Sequence, residues 1–203
     1  MIGTDPETED ESLPGVCVVT HPLAAAGENA TRSLLDILGA ITTVSLVTAD
    51  LPAESKIWEQ FPVVEVSKQG AGDSILIAAL RFVRNQIRMC LAIREREERV
   101  VLFYGATAYL LPIVFARLIG KRVLVEPRGD VPLTLRLNWE QKIPSALART
   151  LAGGIRLLER AGFAAAHGIV TYTPKMAEQL DIDPDEPSVY PTGARYVQTD
   201  RFT

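Results

Sequence analysis

Two cysteines and two histidines in 203 residues leave little room for metal or disulfide chemistry. Cys17 falls in a predicted strand and Cys90 in a predicted helix, while His21 and His167 are far apart. No metal-ligand spacing surrounds any of them, so two buried free thiols in a cytoplasmic protein are expected. Also missing are G-x-G-x-x-G and G-x-x-x-x-G-K-[ST], which argues against an ordinary dinucleotide or P-loop site. Long apolar runs are absent too. The longest, residues 106–116, is interrupted by Thr107 and Pro112 and stops at Arg117, far short of a membrane span. The amino terminus lacks the basic start and apolar core of a signal peptide.

Basic residues are missing from the first eleven positions, which carry Asp5, Glu7, Glu9, Asp10 and Glu11. That leaves 20 of the 25 acidic residues to balance 21 basic ones, so the remaining chain is about neutral. Residues 1–13 are read as an acidic, disordered, solubilising leader and residues 14–203 as one domain. The length suits a single α/β domain with a sizeable core.

What is present is an alternation. Strands are predicted at "GVCVVT" (15–20), "ITTVSLVT" (41–48), "VVEVS" (63–67), "VVLFYG" (100–105), "RVLVE" (122–126), "GIVTYT" (168–173) and "SVYPTG" (188–193). Between them fall helical patterns: 27–39 as a loop feeding a helix, a long helix capped by Asp73 and running to about 98, and 107–119, where Pro112 predicts a kink or a late start. A further helix is opened by Pro144 and runs to about 165, and a short one by Pro174 to Leu180. The continuous apolar run at 100–104 is what a strand covered on both faces requires. The fold class is therefore α/β: a Rossmann-like parallel sheet with helices on both faces.

In such a sheet, ligands bind beyond the carboxyl ends of the strands. The polar turn "EPRGD" (126–130) after an apolar strand marks one wall of that crevice. Arg128 offers a planar fork for phosphate or carboxylate, with Asp130 orienting it or acting as a base; the alternative is a surface Arg–Asp pair worth little. An integrin-type role for Arg128-Gly129-Asp130 would need extracellular display. Gly27, Glu28 and Asn29 sit at the start of the first helix, where free N–H groups favour an anion; the alternative is a turn with Asn29 as cap. Thr173 stands at another strand end. Arg81, Arg84 and Arg88 share one helix face, as do Arg149, Arg156 and Arg160. Either stripe suits anionic headgroups or is simply a solvated face.

The stretch "HGIVTYTPKMAEQLDIDPDEPSVYPTGARYVQTDRF" resembles the end of the amino-terminal domain in glycosyltransferase family 4, of the GT-B fold. The shared pattern is a strand ending at Thr171–Thr173, a short helix from Pro174, the turn Pro191-Thr192-Gly193 and Asp200-Arg201-Phe202. The first strand with its small-residue loop and Gly27 fits, as does the strand ending in "EPRGD", where the family's usual His-Gly is replaced by Arg128-Gly129. The resemblance covers residues 14–203 and implies a single GT-B-type amino-terminal half.

That resemblance implies retaining transfer of a sugar from a nucleotide sugar to a glycan or lipid-linked acceptor. Glu28, Asn29, Arg128, Asp130 and Thr173 would hold the acceptor, and Gly27 would face the donor diphosphate. No cofactor or metal is implied, only the nucleotide sugar as donor substrate. The donor-binding half lies outside these residues, so a separate donor-binding chain or a homodimer is an expected partner. An anionic membrane surface is another, with the chain peripheral at the inner membrane face; nucleic acid is not expected. His167 lies at the wrong end of its strand and reads as structural, and His21 at the right end has no matched role. The alternative is a non-catalytic binding or regulatory module, a truncated transferase. A nucleotide-binding Rossmann-like domain of another class is a third, weaker reading.

Overall fold

A computed structural model describes residues 13–23, 25–68 and 75–193. The acidic leader, Asp73 and the Asp200–Phe202 motif lie outside the described residues. Among the described residues seven strands form one all-parallel sheet in the order β3-β2-β1-β4-β5-β6-β7. They are β1 (Val16–Thr20), β2 (Val44–Thr48), β3 (Val63–Glu65), β4 (Val100–Tyr104), β5 (Arg122–Glu126), β6 (Gly168–Thr171) and β7 (Val189–Pro191). Every strand read from the sequence is present. The helices are α1 (Ala25–Gly39), α2 (Ile57–Gln60), α3 (Ile75–Arg94), α4 (Leu110–Leu118), α5 (Val131–Glu140), α6 (Ser145–Ala165) and α7 (Pro174–Gln179).

Alternation along the central strands sorts side chains to two cores. Cys17, Val19, Val101, Phe103, Val123 and Val125 point to one face and are covered by α3, α4 and α6 through Met89, Ile93, Ile113, Ala116 and Phe163. Val18, Leu46, Leu102 and Tyr104 point to the other, against Leu34 and Leu35 of α1 and Ile57 of α2. Both faces of β4 are thus dry, which accounts for its unbroken apolar sequence. Burial of a side chain such as Phe103 contributes about 1.5–3 kcal/mol. Both cysteines are buried and free, and burial pushes the Cys17 thiol up to about 12.

Several local expectations change. Pro112 causes a late start rather than a kink: α4 begins at Leu110, so the proline sits in the first turn, where no N–H is needed. The first helix begins at Ala25, so Asn29 is a helix-interior residue and not its cap. Helix α5 occupies the segment before Pro144 for which the sequence predicts a polar loop. Asp130 caps it, accepting from the Leu133 N–H at 2.8 Å, and Pro132 lies in its first turn. Helix α2, a single turn, was also not expected.

Candidate functional site

The strand order reverses at β1. Strands β2 and β3 lie on one side of it, and β4 to β7 on the other. The connections leave β1 and β4 in opposite directions, so a crevice opens between their carboxyl ends. His21 follows β1, Gly105 follows β4, and Arg128 follows β5 by two residues.

These three converge. Gly105 has φ +68°, and a Cβ placed there would lie 3.2 Å from Arg128 Cδ and 3.4 Å from both Cε1 and Nδ1 of His21. Only glycine meets both demands, a left-handed backbone and room for two side chains. The Gly105 N–H donates to the Glu126 carbonyl at 2.8 Å, which fixes the β4 end against β5. The Arg128 guanidinium carbon stands 4.9 Å from the centre of the Tyr104 ring, a cation–π arrangement. Tyr104 in turn donates its hydroxyl to the Ala30 carbonyl of α1 at 3.4 Å. A chain of contacts therefore runs from α1 through the β4 end to the β5 loop.

His21 Nδ1 is buried and has no hydrogen-bond partner among the described residues. Burial, and then the positive charge of Arg128, lower its pKa below the ordinary histidine value. The imidazole is therefore neutral at neutral pH. Sequence reasoning had no role for His21. Its position after the first strand was visible, but its neighbours Gly105 and Arg128 are more than eighty residues away in the chain.

Asp130 does not pair with Arg128. One oxygen caps α5, and the other accepts from Arg156 Nη2 of α6 at 2.6 Å. Asp130 thereby anchors the α5–α6 hairpin beside the crevice. A groove of about 320 Å³ runs between these helices, lined by Pro132, Leu133, Arg136, Arg149, Ala152 and Arg156, among others. Behind it, Glu159 of α6 is buried and accepts from the Thr107 hydroxyl. Burial holds the Glu159 carboxyl above the usual carboxylate range, and the nearby Asp130 charge adds to the rise. A larger, open hollow at the opposite strand ends, around Gly15, Thr43 and Phe61, is remote from these groups.

The other sequence candidates are engaged singly. Gly27 is in the first turn of α1, where a Cβ would meet Leu23 Cδ2 at 3.2 Å. Glu28 accepts from the Ser55 hydroxyl at 2.8 Å and so ties α1 to the segment after β2. Asn29 accepts from Arg32 on the exposed side of α1. Thr173 caps α7, accepting from the Met176 N–H at 3.1 Å. His167 Nδ1 accepts from the Val123 N–H at 3.0 Å, a structural contact at the amino end of β5. Among the described residues no group of three or more His, Cys, Asp or Glu side chains could hold a metal ion.

Nor is the second arginine stripe a free face. Arg149 faces Glu140, Arg156 pairs with Asp130 and Asp181, and Arg160 pairs with Asp181. In the first stripe, Arg84 donates to the Ser67 hydroxyl and Arg88 to the Val66 carbonyl. Among the described residues no helix is long and apolar enough to cross a membrane.

No protein-family model matches the chain, and no curated protein matches it. Solved structures do. LpCGTa in complex with UDP superposes with a TM-score of 0.59 at 15% identity, over 95% of this chain and 55% of that one. UGT2 of Phytolacca americana, complexed with UDP-2fluoro-glucose and pterostilbene, gives 0.57 at 13% identity, over 93% and 56%. The glycotransferase of kitacinnamycin gives 0.54 at 12%, over 91% and 53%. The chain spans about half the length of the structures it matches. Its seven-stranded parallel sheet with helices on both faces is the α/β, Rossmann-like architecture of GT-B glycosyltransferases, and the fold is glycosyltransferase-like.

Proposed function

We propose that this chain is the acceptor-binding half of a glycosyltransferase, working with a donor-binding half outside these residues. The observation that supports this best is the cluster of His21, Gly105 and Arg128 at the point where the strand order reverses. A neutral imidazole there can accept the proton of an acceptor hydroxyl. Arg128, held over Tyr104, can bind an anionic group of the acceptor or the donor diphosphate. The groove between α5 and α6 gives a longer acceptor a lane leading away from the reacting hydroxyl. Gly27, in the first turn of α1, would face the donor diphosphate, and the nucleotide sugar is a substrate rather than a resident cofactor. Transfer needs donor, hydroxyl and leaving-group stabilisation enclosed together. One half supplies one wall, so a separate donor-binding chain, or a further domain, completes the site.

Family 4 membership would make the transfer retaining, whereas a general base at His21 fits direct displacement with inversion. The anomeric configuration of the product separates the two. The acceptor is a glycan or lipid-linked molecule, and the chain works at the surface of the inner membrane. A non-catalytic binding module is the competing reading.

The test is gentle affinity purification from the native cell, followed by mass spectrometry and a transfer assay. A stoichiometric partner carrying a second α/β domain that binds nucleotide sugar is expected, with transfer lost in His21→Ala and Arg128→Ala. Recovery of the chain alone, inert with nucleotide sugars, would support the binding module instead.

A further inference from the structure

The face of α3 turned away from the sheet is apolar. Leu76, Leu80, Val83, Ile87 and Leu91 are each more than half exposed. Their spacings of four, three, four and four residues set them on one stripe, about 22 Å long at 1.5 Å per residue. The opposite side of the helix, through Met89, Ala92 and Ile93, fills the core. The stripe therefore comes in addition to the core-facing side. Leu111 and Leu118 extend apolar exposure onto α4, which packs beside α3 through the bond from the Leu111 N–H to Gln86.

Charge decides what the stripe fits. Helix α3 has no acidic residue and four arginines, at 81, 84, 88 and 94. Arg88 is held by a neutral carbonyl, which fixes the guanidinium without cancelling its charge. Among the described residues neither Arg88 nor Arg94 has a carboxylate at ion-pair distance, in contrast to every arginine of the α6 stripe. An apolar ridge with Arg88 beside it and Arg94 at its end fits a surface with an apolar interior and an anionic edge.

We propose that α3 seats the chain on an anionic bilayer surface, with Leu76, Leu80, Val83, Ile87 and Leu91 entering the headgroup boundary and Arg88 and Arg94 contacting lipid phosphates. This takes the peripheral membrane position of the proposed transferase and assigns it to one helix face. Of the two arginine-bearing helices the sequence offers for such a role, this is the first, which carries Arg88, and not α6.

The test is co-sedimentation of the full chain with phosphatidylcholine vesicles, with and without roughly one third phosphatidylglycerol. Binding to the mixed vesicles is expected to be at least about tenfold tighter and to weaken as salt rises. A Leu80→Ser/Ile87→Ser variant should lose about tenfold or more while its thermal midpoint is unchanged, because both side chains face solvent. Arg88→Gln/Arg94→Gln should lose the preference for anionic vesicles. Failure of the native chain to bind overturns the proposal. So does binding that survives Leu80→Ser/Ile87→Ser, and so does a concentration-dependent dimer abolished by that variant without vesicle binding. The measurement needs no donor and no acceptor. A chain that transfers sugar to a soluble acceptor but ignores vesicles overturns this inference and leaves the transferase standing.

Discussion

At the residue scale, a left-handed backbone and the close approach of two side chains meet at Gly105. Its φ of +68° costs an L-residue roughly 1–2 kcal/mol, and a methyl group there would press on Arg128 and His21. Gly105→Ala is therefore expected to lower stability by about that amount and to displace both side chains. Chemical denaturation and the His21 imidazole signals in NMR would show it. The same NMR experiment reads the electrostatics. His21 should titrate below 6.5, and Arg128→Gln should raise its midpoint without fully restoring it, because burial is the larger cause. The sign for stability follows. A lowered folded-state pKa means the unfolded chain takes the proton first, so this contribution is intact above 6.5 and is lost as pH falls below it. A midpoint indifferent to Arg128 would separate the two residues.

At the scale of elements, the α5–α6 hairpin is held by two carboxylates with opposite consequences. Asp130 caps α5 and pairs with Arg156. Asp130→Ala should cost about 1–2 kcal/mol, most of it from the cap; Asp130→Asn keeps the cap and should cost only the modest worth of a partly exposed pair. Glu159 is buried with a raised pKa, so its contribution is complete below about 4.5 and diminishes as pH rises through the folded value. Glu159→Gln keeps an acceptor for Thr107 and removes the charge. It should raise the thermal midpoint at neutral pH and flatten the pH profile above 4.5, as calorimetry would show. A lower midpoint would mean the ionised carboxylate is itself stabilising.

This hairpin also marks the limit of what the sequence disclosed. The seven strands were legible because apolar β-branched runs between turn residues have few other solutions. Helix α5 was not: Val131, Leu133, Leu135 and Leu137 recur every second residue, a strand-like period in a segment between two polar turns. Its one start signal was Asp130 followed by Pro132, the pair that caps and opens it. Arg128 was legible as a strand-end residue. The cluster it forms with His21 and Gly105 was not, because strand order alone brings β1, β4 and β5 side by side. The outward stripe of α3 was masked by its mixed period, in which core and exposed apolar residues share one helix.

For the whole molecule, the question is what one wall of a cleft can do alone. The sheet is covered on both faces, while its carboxyl edge bears Arg128 over an aromatic ring and a buried imidazole nitrogen with no hydrogen-bond partner among the described residues. The structures it matches are about twice as long. If the halves divide the work as proposed, the 203 residues should bind an acceptor but hold nucleotide weakly, because most contacts to the donor come from the other wall. Calorimetric titration of the chain with UDP is then expected to show no saturation below roughly millimolar concentration, corresponding to less than about 4 kcal/mol. Adding the donor-binding partner should bring the apparent dissociation constant down by at least about a hundredfold, and Arg128→Ala should reverse part of that gain if its guanidinium meets the diphosphate. Saturable micromolar binding by the chain alone would place the donor site within these residues. The crevice between β1 and β4 would then be a nucleotide pocket, and the acceptor would have to come from elsewhere.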